Sequence, residues 1–109
     1  MPDHRIREDI FNILRVLSTN TDLTQRDISG YLGISLGKTN YLLKALAKKG
    51  LIKIKNFARR KEKLTRVKYI LTPKGLEEKL RLTRFFLERK EKEYLELKKE
   101  WERTLHAIR

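Results

Sequence analysis

Lysine, asparagine and tyrosine side chains recur along one side of a helix that the sequence predicts over residues 35–49. Asn40, Tyr41 and Lys44 lie opposite the apolar residues of this helix, with Lys48 further along and Lys38 on the flank. An asparagine amide can bond an adenine edge, and a lysine ammonium can bond a guanine edge or a phosphate. Such a helix fits the major groove of DNA, although an ordinary solvated helix face has the same composition.

Two short helices joined by a tight turn are predicted over residues 24–50. Thr24 and Asp27 have the spacing of a capping box that starts the first helix. Gly33 ends this helix, because glycine adopts the left-handed conformation at the least cost. Ser35 caps the second helix and Gly50 stops it. The buried side of the second helix is predicted to consist of Thr39, Leu42, Leu43 and Leu46.

The segments on either side of this unit supply the rest of a small core. A helix is predicted over residues 3–18, and its apolar side chains recur at helical spacing. These side chains are Ile6, Ile10, Phe11, Ile13, Leu14 and Leu17. Residues 51–57 and 66–71 alternate as two strands around a basic loop at 58–64. Eight basic residues and one acidic residue lie between residues 53 and 68, which suits phosphate contact but also solubility and edge protection.

A long helix is predicted from Pro73 to Ile108, since Thr72 is a good cap and proline a good first helical residue. Gly75 is unfavourable in its first turn. The helix would be about 54 Å long, too long for the preceding residues to cover. Large apolar side chains recur at steps of four and three, a heptad-like seam interrupted by Lys90, and we expect the seam to form a dimer interface. Its residues are Leu76, Leu80, Leu87, Tyr94, Leu97, Trp101 and Leu105. Parallel and antiparallel pairing both remain open.

Length and charge limit the classes of function. The 109 residues allow one compact domain with an appendage. The net charge is +13, and residues 1–72 hold 16 basic and 6 acidic side chains, whereas residues 73–109 hold 11 and 8. This excess in the first part favours a polyanionic partner. With no cysteine and two distant histidines, we expect no metal or other cofactor. The lack of a signal peptide and of a long apolar run predicts a cytoplasmic protein without membrane contact.

Two motifs suggest catalysis or nucleotide binding and fail on inspection. The run Gly37-Lys38-Thr39 is similar to the end of a phosphate-binding loop, but Leu32 occupies the position of the required first glycine. His4 and His106 have no evident nucleophile or acid partner. We therefore expect a protein that is not an enzyme.

The order helix, helix-turn-helix, hairpin and long helix resembles that of winged-helix regulators, and residues 23–80 resemble the MarR family specifically. The matching residues are LTQRDISGYLGISLGKTNYLLKALAKKGLI, then a basic wing, then YILTPKGLEEKL. The short chain and charged C-terminal helix resemble the small MarR-like regulators associated with bacterial exopolysaccharide (EPS) gene clusters.

This resemblance implies a mainly α fold with a small β-hairpin. A winged helix-turn-helix DNA-binding domain would span residues 1–72, and a coiled-coil-like dimerisation helix would span residues 73–109. The function implied is sequence-specific control of transcription by a homodimer that binds a palindromic operator in double-stranded DNA. The recognition helix, residues 35–49, would enter the major groove, and the wing, residues 55–66, would contact the minor groove or backbone. Candidate base contacts are Lys38, Asn40, Tyr41 and Lys44. Candidate backbone or wing contacts are Thr24, Arg26, Ser35, Lys48, Arg59, Arg60, Lys61 and Lys63.

The chain departs from the family pattern in two places. An acidic residue commonly precedes the wing arginine, which matches Arg59 or Arg60, but Ala58 stands there. The second departure is at the N-terminus. Typical members have a further helix ahead of the residues matched here, and it helps line a pocket for small aromatic acids, so a small-molecule effector is not assumed. Thr39 matches a family contact position but lies on the apolar stripe.

Two other functions use the same features. An RNA-binding module would use the same basic surface and stack bases on aromatic side chains of an exposed sheet, where only Phe57 and Tyr69 are available. In a protein-interaction adaptor, the helix-turn-helix would be structural and the coiled coil would bind the partner.

Overall fold

The computed structural model describes residues 2–20, 23–59 and 64–108, with side chains over 5–20, 23–55 and 67–108. Three helices come first: α1 (Pro2–Thr19), α2 (Gln25–Leu32) and α3 (Leu36–Lys48). Two antiparallel strands follow, β1 (Ile52–Arg59) and β2 (Leu64–Leu71), and then α4 (Pro73–Ile108). The predicted fold class, mainly α with one small hairpin and a long C-terminal helix, is confirmed.

Local hydrogen bonds and one left-handed glycine set the start of α2 and the turn between α2 and α3. Thr24 Oγ1 accepts the Asp27 N–H at 3.2 Å, and the Asp27 carboxylate accepts the Thr24 N–H at 3.0 Å. This is the predicted capping box. Gly33 has a φ of 64°, and Ser35 Oγ accepts the Lys38 N–H at 3.1 Å. The short sequence between the two helices therefore fixes where one ends and the next begins.

The end of α3 is also set by hydrogen bonds. Gly50 has a φ of 77°, as the predicted stop requires. Its N–H donates to the Ala47 carbonyl oxygen, and the Leu51 N–H donates to the Leu46 carbonyl oxygen, both at 3.0 Å. These two bonds form a Schellman motif, which ends the helix and directs the chain into β1.

Apolar side chains from α1, α2 and α3 and from the base of the hairpin form the core. The predicted stripe of α3 is buried throughout. The other buried apolar residues before α4 are Phe11, Ile13, Leu14, Leu17, Leu23, Ile28, Leu51, Ile52 and Tyr69. Ile6, which was predicted to join them, is 40% exposed. The spacing of apolar residues predicts which side of α1 is buried, but it does not tell at which turn the burial begins.

The strands of the hairpin are longer than the sequence predicts. Ala58 pairs with Thr65 and Arg59 pairs with Leu64, so the loop starts later and ends earlier than 58–64. Thr65 is β-branched and favours the extended backbone that continues the ladder. Ile54 is exposed, whereas Ile52 is buried. Among the hairpin side chains that the structure describes, those at its base contribute to the core.

Leu23 contributes a strand-like pairing that the sequence did not predict. It forms an isolated antiparallel bridge with Tyr69, whose N–H donates to the Leu23 carbonyl oxygen at 3.2 Å. Both side chains are buried, and burial raises the pKa of the Tyr69 hydroxyl above its ordinary value. This bridge ties the segment before α2 to the hairpin.

The chain divides into two compact units, Met1–Lys79 and Leu80–Arg109. The second unit is the remainder of α4, and Leu82 is its buried apolar residue. Among the described residues, none of the helices combines the length and the apolar character that crossing a membrane requires.

Candidate nucleic-acid interface

The two sides of α3 differ sharply in exposure. Thr39, Leu43 and Leu46 are at most 2% exposed, whereas Tyr41 is 69% exposed. Lys44, three residues after Tyr41, and Lys48, four residues after Lys44, are also exposed. The core therefore holds one side of α3, and the other side presents an aromatic ring and two ammonium groups to solvent.

Two neighbouring residues of α3 differ in what they can reach. Asn40 is half-buried at the edge of the exposed side. Thr39 is fully buried, and its Oγ1 donates to the Ser35 carbonyl oxygen at 2.8 Å. Its position on the apolar stripe is thus confirmed, and Thr39 cannot read a base from where it lies.

The Lys38 ammonium forms an ion pair with a residue of α1. Its Nζ lies 2.7 Å from Asp9 Oδ2 on α1, and the Lys38 side chain is 34% exposed. Asp9 Oδ2 is buried, and among the described residues no group forms a hydrogen bond of acceptable angle with it. The Lys38 ammonium therefore supplies the counter-charge for a buried carboxylate, a role that the sequence analysis missed because the two residues lie on different helices.

Polar groups also gather around the first turns of α2 and α3. The Ser35 hydroxyl lies at the N-terminus of α3, where backbone N–H groups and the helix dipole favour an anion. The Gln25 side chain donates to the Leu36 carbonyl oxygen at 3.2 Å, which links α2 to α3. Arg26 is exposed on α2, and Thr24 is half-buried as the cap of that helix.

Of the four predicted wing contacts, one belongs to a described strand. Arg59 is the last residue of β1, and its side chain is not among those described. Arg60, Lys61 and Lys63 lie outside the described residues.

Further basic groups lie closer to the base of the hairpin. Lys53 and Lys55 are exposed on β1, although neither was selected as a contact residue. Their alternation with Ile52 and Ile54 was the signal that could have identified them, since it places both lysines on the side of β1 opposite the buried Ile52.

The seam predicted on α4 is exposed along its whole length. Its least exposed member is Leu105 at 46%, and its most exposed is Leu80 at 72%. The other members are Leu76, Leu87, Tyr94, Leu97 and Trp101.

Tyr31 on α2 and Leu36 on α3 are also exposed. The sequence did not identify either as an interface residue, because a single apolar residue at a surface has no distinguishing pattern.

Residues 10–53 match the family model described as winged helix-turn-helix DNA-binding. No curated protein matches the chain in sequence. Several solved structures share the fold. A mutant of MepR from a multidrug resistant S. aureus clinical isolate has a TM-score of 0.64 and 22% identity, over 92% of this chain and 77% of that chain. A MarR/EmrR family transcriptional regulator from Acinetobacter sp. ADP1 has a TM-score of 0.61 and 26% identity, over 76% and 56% of the two chains. An S. aureus MepR–DNA complex has a TM-score of 0.60 and 23% identity, over 92% and 76%.

These matches agree with the architecture. The residues matched by the family model run from within α1 to the start of β1 and include the whole helix-turn-helix. The chain therefore contains a winged helix-turn-helix of the DNA-binding type, followed by a long helix.

Proposed function

We propose that this chain is a sequence-specific DNA-binding transcription regulator of the MarR family that acts as a homodimer. The observation that carries the proposal is the exposed side of α3, where Tyr41, Lys44 and Lys48 stand out from a helix whose other side is held in the core. A rigidly held helix with such groups is suited to the major groove. The MepR neighbour bound to DNA supports double-stranded DNA as the partner.

Within this proposal, Asn40, Tyr41 and Lys44 read base edges. Lys38 would first have to leave Asp9, because its ammonium lies 2.7 Å from that carboxylate. Phosphate contacts come from the groups at the helix starts and from the far end of α3: Thr24, Arg26, Ser35 and Lys48. Such contacts position the protein on the duplex, and base contacts give sequence preference.

The wing, residues 55–66, would contact the minor groove or the backbone beside the recognition helix. Arg59 or Arg60 would enter the minor groove, with Lys61 and Lys63 on the phosphates. Lys53 and Lys55, which are exposed on β1, extend the same basic surface toward the base of the hairpin.

The two parts of the chain would have separate tasks. Residues 1–72 would bind DNA, and residues 73–109 would join two chains through the exposed seam of α4. A two-fold dimer would present two recognition helices to a palindromic operator. The protein would work in the bacterial cytoplasm, and its charged C-terminal helix resembles that of the EPS-associated subgroup. We propose no catalytic activity for this chain.

The RNA-binding alternative depends on aromatic side chains of the sheet that are free to stack on bases. Tyr69, one of the two available, is 7% exposed and pairs with Leu23. This burial favours duplex DNA over single-stranded RNA as the ligand of the basic surface.

The DNA-binding proposal is tested by the salt dependence of binding to a DNA duplex. Each positive charge that contacts a phosphate releases counterions, so Arg26→Gln with Lys48→Gln should flatten the slope of log K against log salt by about 1.8. The wing variant Lys61→Gln with Lys63→Gln should do the same. The matched control, Lys92→Gln with Lys99→Gln, removes two exposed charges from α4 and should leave the slope unchanged. Equal slopes for all variants, or tighter binding to single-stranded RNA, would contradict the proposal.

The dimer is tested separately by sedimentation equilibrium of the full chain. Leu87→Glu places a charge in the seam and should convert the dimer to monomer at micromolar concentration. Leu95→Glu is the control, because Leu95 is an exposed leucine of α4 that lies outside the seam. If both variants sediment alike, the seam does not join the chains.

A further inference from the structure

Exposed side chains of α4 form two rows that each repeat every seven residues, and most of their members are apolar. The first row contains Leu80, Leu87, Tyr94, Trp101 and Ile108, all at least 53% exposed. The second row, four residues earlier in each heptad, contains Leu76, Thr83, Lys90, Leu97 and Thr104. Two such rows at alternating steps of three and four are the a and d positions of a coiled coil. All ten residues are exposed, and the two rows leave Leu105 of the predicted seam to one side.

We propose that these two rows pair with the same rows on α4 of a second copy of the chain. The two helices run antiparallel, with the two-fold axis between residues 88 and 89. The proposal rests on the homodimer proposed above and specifies its geometry. It follows from three features of α4, which are the sizes of the facing side chains, the position of Lys90 and the signs of the charges beside the seam.

Antiparallel pairing about this axis places each first-row residue opposite a second-row residue of the partner. The layers pair Trp101 with the partner's Leu76, Leu97 with the partner's Leu80, Tyr94 with the partner's Thr83, and Leu87 with the partner's Lys90. Large rings therefore face smaller side chains, which fills the space between helices evenly. Parallel pairing would instead put two indoles in one layer and two threonines in another.

The residue that faces Lys90 differs between parallel and antiparallel pairing. In a parallel pair, Lys90 would face the partner's Lys90 in the middle of an apolar seam, so two like charges would share one layer. In the antiparallel pair it faces the partner's Leu87, which its methylene groups can cover while its ammonium points outward. The Lys90 Nζ already lies 3.8 Å from Glu93 on the same helix, toward solvent. The antiparallel pair therefore puts the two Lys90 side chains in neighbouring layers, about 4.5 Å apart along the helix axes, instead of in one layer.

The charges beside the seam favour the same arrangement. Antiparallel pairing brings Arg84 to the partner's Glu91 and Glu77 to the partner's Lys98, and the two-fold axis repeats each pair. All four side chains are exposed. Parallel pairing would keep one attractive pair, Glu93 with the partner's Lys98, but would bring Arg84 to the partner's Lys79. Such exposed pairs are individually weak, so they act on the choice of orientation more than on affinity.

Distances between spin labels on the full-length protein test this geometry. The chain contains no cysteine, so Glu102→Cys and Glu88→Cys each introduce a single labelling site per protomer. Both glutamates lie outside the two rows and are exposed. At ~1.5 Å per residue, the antiparallel pair places the two Glu102 sites roughly 40 Å apart along the helix axes. It places the two Glu88 sites beside each other, within about 20 Å for axes ~8–10 Å apart.

Each outcome of this double electron–electron resonance measurement has one meaning. A long distance for the Glu102 variant with a short one for the Glu88 variant is the expected result. Short distances for both would establish parallel pairing, and a long distance for the Glu88 variant would establish another register. Absence of dipolar coupling would mean that no dimer forms through α4, which overturns the proposed dimer as well. Binding of the same labelled proteins to duplex DNA shows independently whether DNA recognition by the first unit stands.

Discussion

The Thr72 hydroxyl joins the residue that ends α3, Gly50, to the start of α4. Thr72 Oγ1 donates to the Gly50 carbonyl oxygen at 2.7 Å and accepts the Gly75 N–H at 3.0 Å. The Thr72 N–H also donates to the Leu51 carbonyl oxygen at 3.1 Å. One residue thus caps α4 and satisfies carbonyl groups just after α3.

Replacing Thr72 with valine should therefore destabilise the protein. Thr72→Val keeps the shape but removes both hydroxyl bonds, and we expect a loss of about 1–2 kcal/mol in the free energy of unfolding. Thr72→Ser keeps the hydroxyl and should lose much less. Urea unfolding followed by circular dichroism measures both. Equal losses for the two variants would assign the effect to packing of the methyl group instead.

Gly75 should resist a substitution that usually stabilises helices. A Cβ at this position would overlap the Leu51 carbonyl oxygen and lie 2.7 Å from Leu71 Cδ1. Gly75→Ala should thus destabilise, although alanine in a helix is normally favoured by about 1 kcal/mol. Gly30→Ala in α2 is the matched control, because nothing lies within 4 Å of its added Cβ. Unfolding experiments should give opposite signs for the two variants, and a stabilised Gly75→Ala would mean that this contact relaxes without cost.

The sequence predicted the features that depend on neighbours along the chain. The capping box of Thr24 and Asp27, the left-handed Gly33 and the buried stripe of α3 follow from local hydrogen bonding and helical periodicity. The pairing of Leu23 with Tyr69 and the ion pair of Lys38 with Asp9 could not be predicted. They join residues on different elements, so no spacing within one element indicates them.

Gly75 shows the same limit of prediction from local sequence. Propensity alone makes a glycine in the first turn of a helix unfavourable. The structure gives its reason, since the Leu51 carbonyl oxygen occupies the space that any side chain would need. For the candidate interface, the sequence identified the exposed lysines of α3 but not that Lys38 is held by a carboxylate on α1.

The ion pair between Lys38 and Asp9 should contribute to stability. Lys38→Met leaves the Asp9 carboxylate buried without a counter-charge, which typically costs about 1–3 kcal/mol. We expect the lower part of that range, because Lys38 is 34% exposed and solvent screens the pair. Asp9→Asn should cost less, and the double variant should recover part of the loss. A double-mutant cycle from urea unfolding measures the coupling, and additive losses would show that the two charges do not interact.

Asn40 should affect sequence preference more than overall affinity. Asn40→Ala removes an amide that can bond an adenine edge, so operator binding should weaken by about 1–3 kcal/mol. Binding to random duplex DNA should change little, and the melting curve should stay the same. Fluorescence anisotropy with both duplexes measures the difference. Equal weakening on the two duplexes would assign Asn40 to the phosphate backbone.

Selection of bound sequences from a random pool of DNA duplexes tests the central claim most directly. A homodimer that presents two recognition helices should enrich an inverted repeat whose half-site centres lie about 10–10.5 base pairs apart, or a multiple of that spacing. Lys92→Gln with Lys99→Gln should select the same repeat, whereas Asn40→Ala should lose preference at one position of each half-site. Failure to enrich any sequence over the starting pool would contradict sequence-specific recognition of DNA by α3.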